Sequence, residues 1–358
     1  MTSARHHPGP GPPEPLSSAL GGVRRHADLL DGTGGWPAED LDRLALAGAM
    51  RWAVPREFGG DDLPALDLHL RYEAVARSSL TLALILSQRD SAVAIVDAAR
   101  QCPLRAELLP ALARHERFTT VGIAQLTTSH QRGGPALRAT RTDGGYRIDG
   151  LIPWSTGAAA ATWIVAGAVI EDGRQLLFLL PMSDPGVTAG PPLPLVALRE
   201  SWTGRVKCDH VIIDDRLVLK GPGPKVMAGR KKSLPLGQAF LALGLCRGAL
   251  DLIGEHPAPA AARAAERFRG QLDRLRAEVV GLSADGREAD ATAAGPRARG
   301  ECNDLAVRMT YAAVALYKGG ALVVPHPAQR LAREAMFLLV WSCPDPVIDC
   351  TIDLLSDG

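Results

Sequence analysis

The chain is 358 residues long, 46% hydrophobic and 22% charged, and its 40 Lys plus Arg are set against 39 Asp plus Glu for a net charge of +1. That is the composition of a folded globular protein rather than a disordered chain, and the balanced charge leaves no electrostatic footprint for nucleic acid or an anionic membrane. The length suits one large domain or a few smaller ones, and with aromatics at only 4% the core must be built mostly from Leu, Ala and Val.

Residues 1–22 are rich in Pro, Gly and Ser and hold no apolar stretch of the kind that marks a secretion signal, so a disordered tail is expected. Residues 23–117 read as an N-terminal helical domain. Leu41, Leu44, Ala45 and Ala49 follow helix spacing, Val54-Pro-Arg-Glu-Phe-Gly-Gly60 breaks it, and Leu66–Arg77 and Leu80–Arg100 resume it. The texture changes at Phe118. Over 118–222, strands are predicted at Thr119–Gln125, Leu137–Thr142, Tyr146–Trp154, Thr162–Ile170, Leu176–Leu180 and Val206–Ile213, with Asp143-Gly-Gly145 as a hairpin turn. No helix-length segment separates these strands, so the sheet of the central domain is expected to be mostly antiparallel. Residues 232–358 return to helix spacing as a C-terminal helical bundle, with helices over 234–255, 259–282, 300–318, 326–341 and 345–356. The Ala-, Gly- and Arg-rich stretch 283–299, with Pro296, is expected to be a flexible loop. The fold class is α+β.

The six cysteines (Cys102, Cys208, Cys246, Cys302, Cys343 and Cys350) form no C-x-x-C pair, so neither a zinc site nor a disulfide framework is expected. No apolar run reaches the roughly 18 residues of a membrane span. The chain reads as cytoplasmic.

Three stretches, in this order, resemble the acyl-CoA dehydrogenase family of flavoproteins. Val54-Pro-Arg-Glu-Phe-Gly-Gly60 with Tyr72-Glu-Ala-Val-Ala-Arg77 is similar to the family's "P-E-x-x-G-G" turn and "E-x-x-A-R" helix. Gly150-Leu-Ile-Pro-Trp-Ser-Thr-Gly157 resembles its "G-x-K-x-W-I-T" strand, and Pro327-Ala-Gln-Arg-Leu-Ala-Arg-Glu-Ala335 its "P-x-x-R-x-x-R-D-A" segment. Arg199-Glu-Ser-Trp-Thr-Gly-Arg-Val206 fits the family's exit from the β-domain. The resemblance implies an N-terminal helical domain, a central antiparallel β-barrel-like domain and a C-terminal four-helix bundle with FAD between the last two, an acyl-CoA or other acyl thioester substrate, an electron-transfer partner or flavin reductase, and a homodimer or homotetramer.

It also implies a cofactor site. Trp154 and Thr156 lie two apart on a predicted strand and so should share one face. The resemblance sets Trp154 against the flavin ring, the Thr156 hydroxyl near its N5, and Ser155 at the ring through its backbone. Read alone, the pair also suits a core aromatic and a strand filler. Ile123, Ala124, Gln125 and Ser129 occupy the place of the family's "T-E-P-x-x-G-S-D" loop, with Gln125 in place of the acid and His130 in place of the aspartate.

The base departs from the pattern. Removing an α-proton from a thioester needs a carboxylate that ionises near neutral pH. Most of the family supplies a glutamate in "Y-E-G-T"; by count from Arg333, Trp341 stands at the tyrosine and Ser342 at the glutamate. Cys343 and Asp345 are neighbours, and in the first bundle helix, where some relatives carry the glutamate, the first acid is Asp251. Arg330 and Arg333 read as surface or interhelix ion-pair residues. Three functions stay open: α,β-dehydrogenation of an acyl thioester by an atypical or missing base, a flavin-dependent monooxygenase or oxidase of the same fold, and a non-catalytic partner-binding subunit.

Overall fold

The computed structural model describes residues 15–126, 136–227, 234–284 and 286–356. Five helices come first: α1 (Leu16–Thr33), α2 (Ala38–Leu46), α3 (Ala65–Ser78), α4 (Leu80–Ala98) and α5 (Arg105–Ala113). Local chemistry sets their limits. The Ser79 hydroxyl caps α4 by accepting from the Leu82 amide at 3.2 Å. The turn before α3 requires glycine at position 60, where a Cβ would lie 1.8 Å from the Val54 carbonyl oxygen.

Eight strands follow: β1 (Thr119–Gly122), β2 (Leu137–Thr142), β3 (Gly145–Ser155), β4 (Trp163–Ile170), β5 (Gln175–Pro181), β6 (Val187–Pro192), β7 (Gly204–Asp214) and β8 (Val218–Gly223). They form one sheet in the order β6-β7-β3-β2-β4-β5-β8, with β1 alongside β4. The β1–β4 and β2–β4 pairs are parallel and the others antiparallel. Side-chain alternation on β4 and β5 serves two cores. Ile164, Ala166, Leu176, Phe178 and Leu180 turn into the β-domain, while Val165, Leu177 and Leu179 pack under α4 and α5.

The C-terminal part comprises α6 (Leu234–Glu255), α7 (Pro259–Leu282), α8 (Glu288–Tyr317), α9 (Pro327–Leu338) and α10 (Asp345–Ser356). Its core is continuous with that of the N-terminal helices: Leu44, Tyr72 and Leu82 belong to the same cluster as Phe240, Cys302 and Leu338. Helix α6 is long and apolar enough to cross a membrane by length and composition, but it is mostly buried in this bundle.

Three expectations change. Helix α1 starts at Leu16, so 16–22 is helix and not tail; Leu16, Ala19, Leu20 and Val23 form an apolar stripe that the neighbouring glycines obscured. Helix α8 covers 288–299, so the expected flexible loop shrinks to a short connection. Its Ala, Arg and Glu are strong helix formers, and burial of Ala298, Arg299 and Cys302 offsets the cost of Pro296 within the helix, about 3 kcal/mol. Strands β6 and β8 were not anticipated. Both are Pro- and Gly-containing and end the strand order, where a missing backbone donor is tolerated.

Candidate functional site

The predicted cofactor residues lie where β3 leaves the sheet. Ile152 pairs with Val206 and Ser155 with Gly204, so three steps on β3 oppose two on β7. The extra residue is a bulge at Pro153–Trp154, and bulges re-aim side chains. Trp154 consequently stands 46% exposed between buried Pro153 and buried Ser155. The strand ends at Ser155, and Thr156 enters a turn toward Gly157 (φ +66°). The shared-face argument for Trp154 and Thr156 therefore does not hold as made, because they are not alternate residues of a regular strand. Thr156 is 7% exposed, and its hydroxyl lies 3.2 Å from that of Thr203, just before β7.

Ser155 is buried and donates its hydroxyl to the Val121 carbonyl at 3.3 Å, tying the end of β3 to β1. A short 3-10 turn, Ala124–Leu126, follows β1 and packs on β3, which brings Ile123, Ala124 and Gln125 to this edge. Gln125 is a brace: its amide nitrogen donates to the carbonyls of Gly122 at 2.9 Å and Gly167 at 2.7 Å. Its Oε1 is buried without a hydrogen-bond partner among the described residues. Ser129 and His130 lie outside the described residues. The uncovered Trp154 indole offers a flat heteroaromatic group one wall, while the Thr156 hydroxyl and the Gln125 amide oxygen are buried.

The segment where the base is expected is a turn between α9 and α10. Ser342 is exposed, with φ +49°. Cys343 is buried and donates its thiol to the Leu338 carbonyl at 3.3 Å; burial pushes that thiol above its ordinary value. Neither residue ionises near neutral pH. Asp345 is exposed at the first position of α10, and Asp251 is committed to Arg24 at 3.0 Å and Arg77 at 2.7 Å. Buried Arg299 fastens the turn, donating to the carbonyls of Leu338 at 3.3 Å and Trp341 at 3.4 Å, where a cation suits the carbonyl end of α9.

The two C-terminal arginines are interhelix residues, but Arg330 is not on the surface. It is 5% exposed and donates to Asp28 at 2.7 Å and Glu334 at 2.9 Å. Arg333 reaches Asp31 and the Val196 carbonyl. A cavity of about 10 Å³ beside Arg330 is lined by Asp40, Thr81, Glu200 and Glu334. One oxygen each of Glu200 and Glu334 is buried there without a partner among the described residues. Burial pushes the Glu334 carboxyl up to about 7 and raises Glu200. The sequence reading missed this cluster, and it missed Thr203 as the partner of Thr156 and Ser201 as the partner of Thr203. Only the alternation of two hydroxyls about Trp202 hinted at the latter.

No family model matches the chain. It is 25% identical over 240 residues to the probable acyl-CoA dehydrogenase YngJ of Bacillus subtilis (strain 168), a match covering 64% of this chain and 62% of that relative. It is 22% identical over 345 residues to the probable acyl-CoA dehydrogenase FadE25 of Mycobacterium tuberculosis (strain H37Rv), covering 89% of this chain and 87% of the relative. Among solved structures, butyryl-CoA dehydrogenase from Megasphaera elsdenii superposes with a TM-score of 0.79 at 20% identity, covering 95% of both chains. FMN-bound TdsC from Paenibacillus sp. A11-2, a dibenzothiophene monooxygenase, superposes with a TM-score of 0.81 at 18% identity, also covering 95% of both. In sequence and in its three-part α–β–α order, this chain is similar to the acyl-CoA dehydrogenases.

Proposed function

We propose that the protein is a flavin-dependent oxidoreductase that holds FAD at the open edge of β3 and dehydrogenates an acyl thioester at its α and β carbons. The observation that carries this reading is the bulged end of β3, which leaves the Trp154 indole uncovered in a chain similar to the acyl-CoA dehydrogenases. Bound flavin would supply the hydride acceptor. The chain's own residues bind and orient. Trp154 offers a flat apolar wall, Thr156 a hydroxyl, Ser155 and the turn Ile123–Gln125 the adjoining backbone, and Ser129 belongs to the same expected set. Proton removal has no carboxylate at position 342, and a serine hydroxyl cannot stand in without a base of its own.

That exposed serine favours a second reading, a flavin-dependent monooxygenase or oxidase, which needs no carboxylate at that turn. A non-catalytic, partner-binding subunit is the third. The exposed run Leu322, Val323 and Val324, at 73%, 65% and 56%, supports assembly as a homodimer or homotetramer. The six free cysteines suit a cytoplasmic setting. An electron-transfer partner or flavin reductase would complete turnover.

The test is the visible spectrum of the purified protein after loading with FAD or FMN, before and after adding short- and long-chain acyl-CoA without oxygen. Bleaching by acyl-CoA supports dehydrogenation. Bleaching only by an external reductase, with later oxygen uptake, supports the second reading. Protein that takes up neither flavin overturns both. Chromatography of the released cofactor distinguishes FAD from FMN.

A further inference from the structure

Three buried carboxylates meet at one small cavity. The space beside Arg330 is bounded by Asp40 of α2, Glu200 of the turn before β7 and Glu334 of α9, which are 0%, 4% and 3% exposed. Each has one oxygen committed. Asp40 Oδ2 lies 3.0 Å from His26 Nδ1, Glu200 Oε2 accepts from the Thr81 hydroxyl at 3.2 Å, and Glu334 Oε1 accepts from Arg330 at 2.9 Å. The second oxygens, Asp40 Oδ1, Glu200 Oε1 and Glu334 Oε2, are buried without a hydrogen-bond partner among the described residues. The neighbouring cations serve other oxygens. Arg330 Nε donates to Asp28 at 2.7 Å, Arg333 to Asp31 and the Val196 carbonyl, and Arg199 to the Asp31 carbonyl, while Arg43 Nε stops 3.8 Å from Asp40 Oδ1.

An ionised carboxylate only accepts hydrogen bonds. Three acceptors cannot satisfy one another, and a buried polar atom left unpaired is costly. The cavity, about 10 Å³, has room for a single water. A metal ion held by all three carboxylates does not fit. Among the described residues, the only three acidic, histidine or cysteine ligand atoms within 4.8 Å of one another belong to Asp149, Asp209 and His210. One water brings two protons, enough for two of the three oxygens. The third bond needs another donor, and a protonated carboxyl is one. Glu334 has the strongest reason to keep its proton: burial outweighs the pull of Arg330, and Glu200 and Asp31 add repulsion.

We propose that Glu334 keeps a proton and, through one water, clasps Glu200 and Asp40, tying α9 to the turn before β7 and to α2. The Glu334 hydroxyl donates to the water, and the water donates to Glu200 Oε1 and Asp40 Oδ1. Every proton then has an acceptor and every one of the three oxygens a partner. Loss of the Glu334 proton, as pH rises through about 7, leaves two water protons facing three acceptors and sets two like charges at one cavity. The turn before β7 is the element that gives. Leu198 (φ +55°) and Trp202 (φ +44°) hold left-handed conformations that residues with a Cβ resist, so contacts must keep the turn in place. Two of those contacts do not titrate: Trp202 donates to the Gly34 carbonyl at 3.1 Å, and Arg333 to the Val196 carbonyl at 2.7 Å. The turn therefore loosens without detaching. The clasp requires no bound flavin.

Two measurements on the whole protein test this. Difference infrared spectra between pH 5 and pH 9 should show a carboxylic acid band that titrates near neutrality, is absent from Glu334→Gln and is present in Glu200→Gln. Amide hydrogen exchange reads the turn. Over residues 198–203, wild-type protection, corrected for intrinsic exchange, should fall about tenfold from pH 6 to pH 9. Glu334→Gln, whose amide donates to the water at every pH, should hold it constant. Glu200→Gln removes the like charge and should move the fall to lower pH, which decides the matter if Glu334→Gln does not fold. A band kept by Glu334→Gln and lost from Glu200→Gln overturns the clasp. So does wild-type protection that is flat with pH, a fall that is equal in Glu334→Gln, or a transition that Glu200→Gln leaves unmoved.

Discussion

Glu334→Gln should stabilise the protein at alkaline pH and leave it little changed at acid pH. Glu334 is 3% exposed on α9, with one oxygen bound to Arg330 at 2.9 Å and the other unpartnered among the described residues at the small cavity it shares with Glu200. The charged groups around it come from every adjoining element: Asp28 and Asp31 of α1; Asp40 of α2 with its partners His26 and Arg43; Glu200, before β7; and Arg330 and Arg333 of α9. Thr81 of α4 donates to Glu200 at 3.2 Å. Desolvation outweighs the attraction of Arg330 and holds the Glu334 carboxyl at about 7, against an ordinary 4.5. Each tenfold change in an ionisation constant is about 1.4 kcal/mol, so the charged form is disfavoured by about 3 kcal/mol.

The folded state therefore keeps a proton that the unfolded chain releases. The stability tied to it is fully present below about pH 4.5 and lost as pH rises through about 7. Glutamine imitates the protonated side chain, carbonyl toward Arg330 and amide toward the unpaired Glu200 oxygen, and cannot ionise. Urea unfolding of wild type and variant at pH 5, 6, 7 and 8, at fixed ionic strength, measures the difference. The variant's advantage should grow by about 2.5 kcal/mol between pH 5 and pH 8. Parallel pH profiles would show that Glu334 is ionised throughout and that the desolvation argument is wrong.

Three further outcomes test other parts of the structure. Gly244→Ala would bring a Cβ to 2.4 Å from the Glu73 carbonyl oxygen and force α6 from α3; thermal unfolding should show a loss of about 1–3 kcal/mol, and an unchanged Tm would contradict this close helix contact. His69 is held at about 4 by burial, against an ordinary 6.5, and its ring stacks on Phe240 at 5.3 Å. The stability it contributes as a neutral ring is present above about pH 6.5 and lost as pH falls through about 4. His69→Phe should flatten that acid limb, and an unaltered limb would assign it to other groups. Trp154→Ala, at an exposed position, should leave circular dichroism and Tm unchanged while weakening flavin binding about tenfold; fluorescence titration with FAD and FMN measures this, and an unchanged Kd would remove the indole from the site.

The fold was legible because its signals are local. Helix spacing gave α6 and α7 with both ends, since long apolar repeats between Pro or Gly breaks admit few alternatives. The Asp-Gly-Gly turn gave the β2–β3 hairpin because Gly144, at φ +77°, adopts a backbone that other residues resist. The bulge at Trp154 was not legible. It depends on how β3 registers against β7, some fifty residues later, and a bulge leaves no mark in the β3 sequence alone. Helix α8 was misread for the opposite reason: Pro296 is a strong local signal that burial against α6 and α10 overrides.

By itself the sequence determined the order of helical and β parts, most strand and helix limits, the family resemblance and the lack of a carboxylate at position 342. Each of these depends on residue type and spacing along the chain. Only the tertiary structure decided that both helical parts share one core, that Thr156 leans on Thr203 and Thr203 on Ser201, and that Glu334 and Glu200 meet at a cavity beside Arg330. Those depend on which distant groups exclude water together, and a hydroxyl or carboxyl acquires its donor direction or its proton affinity from such neighbours.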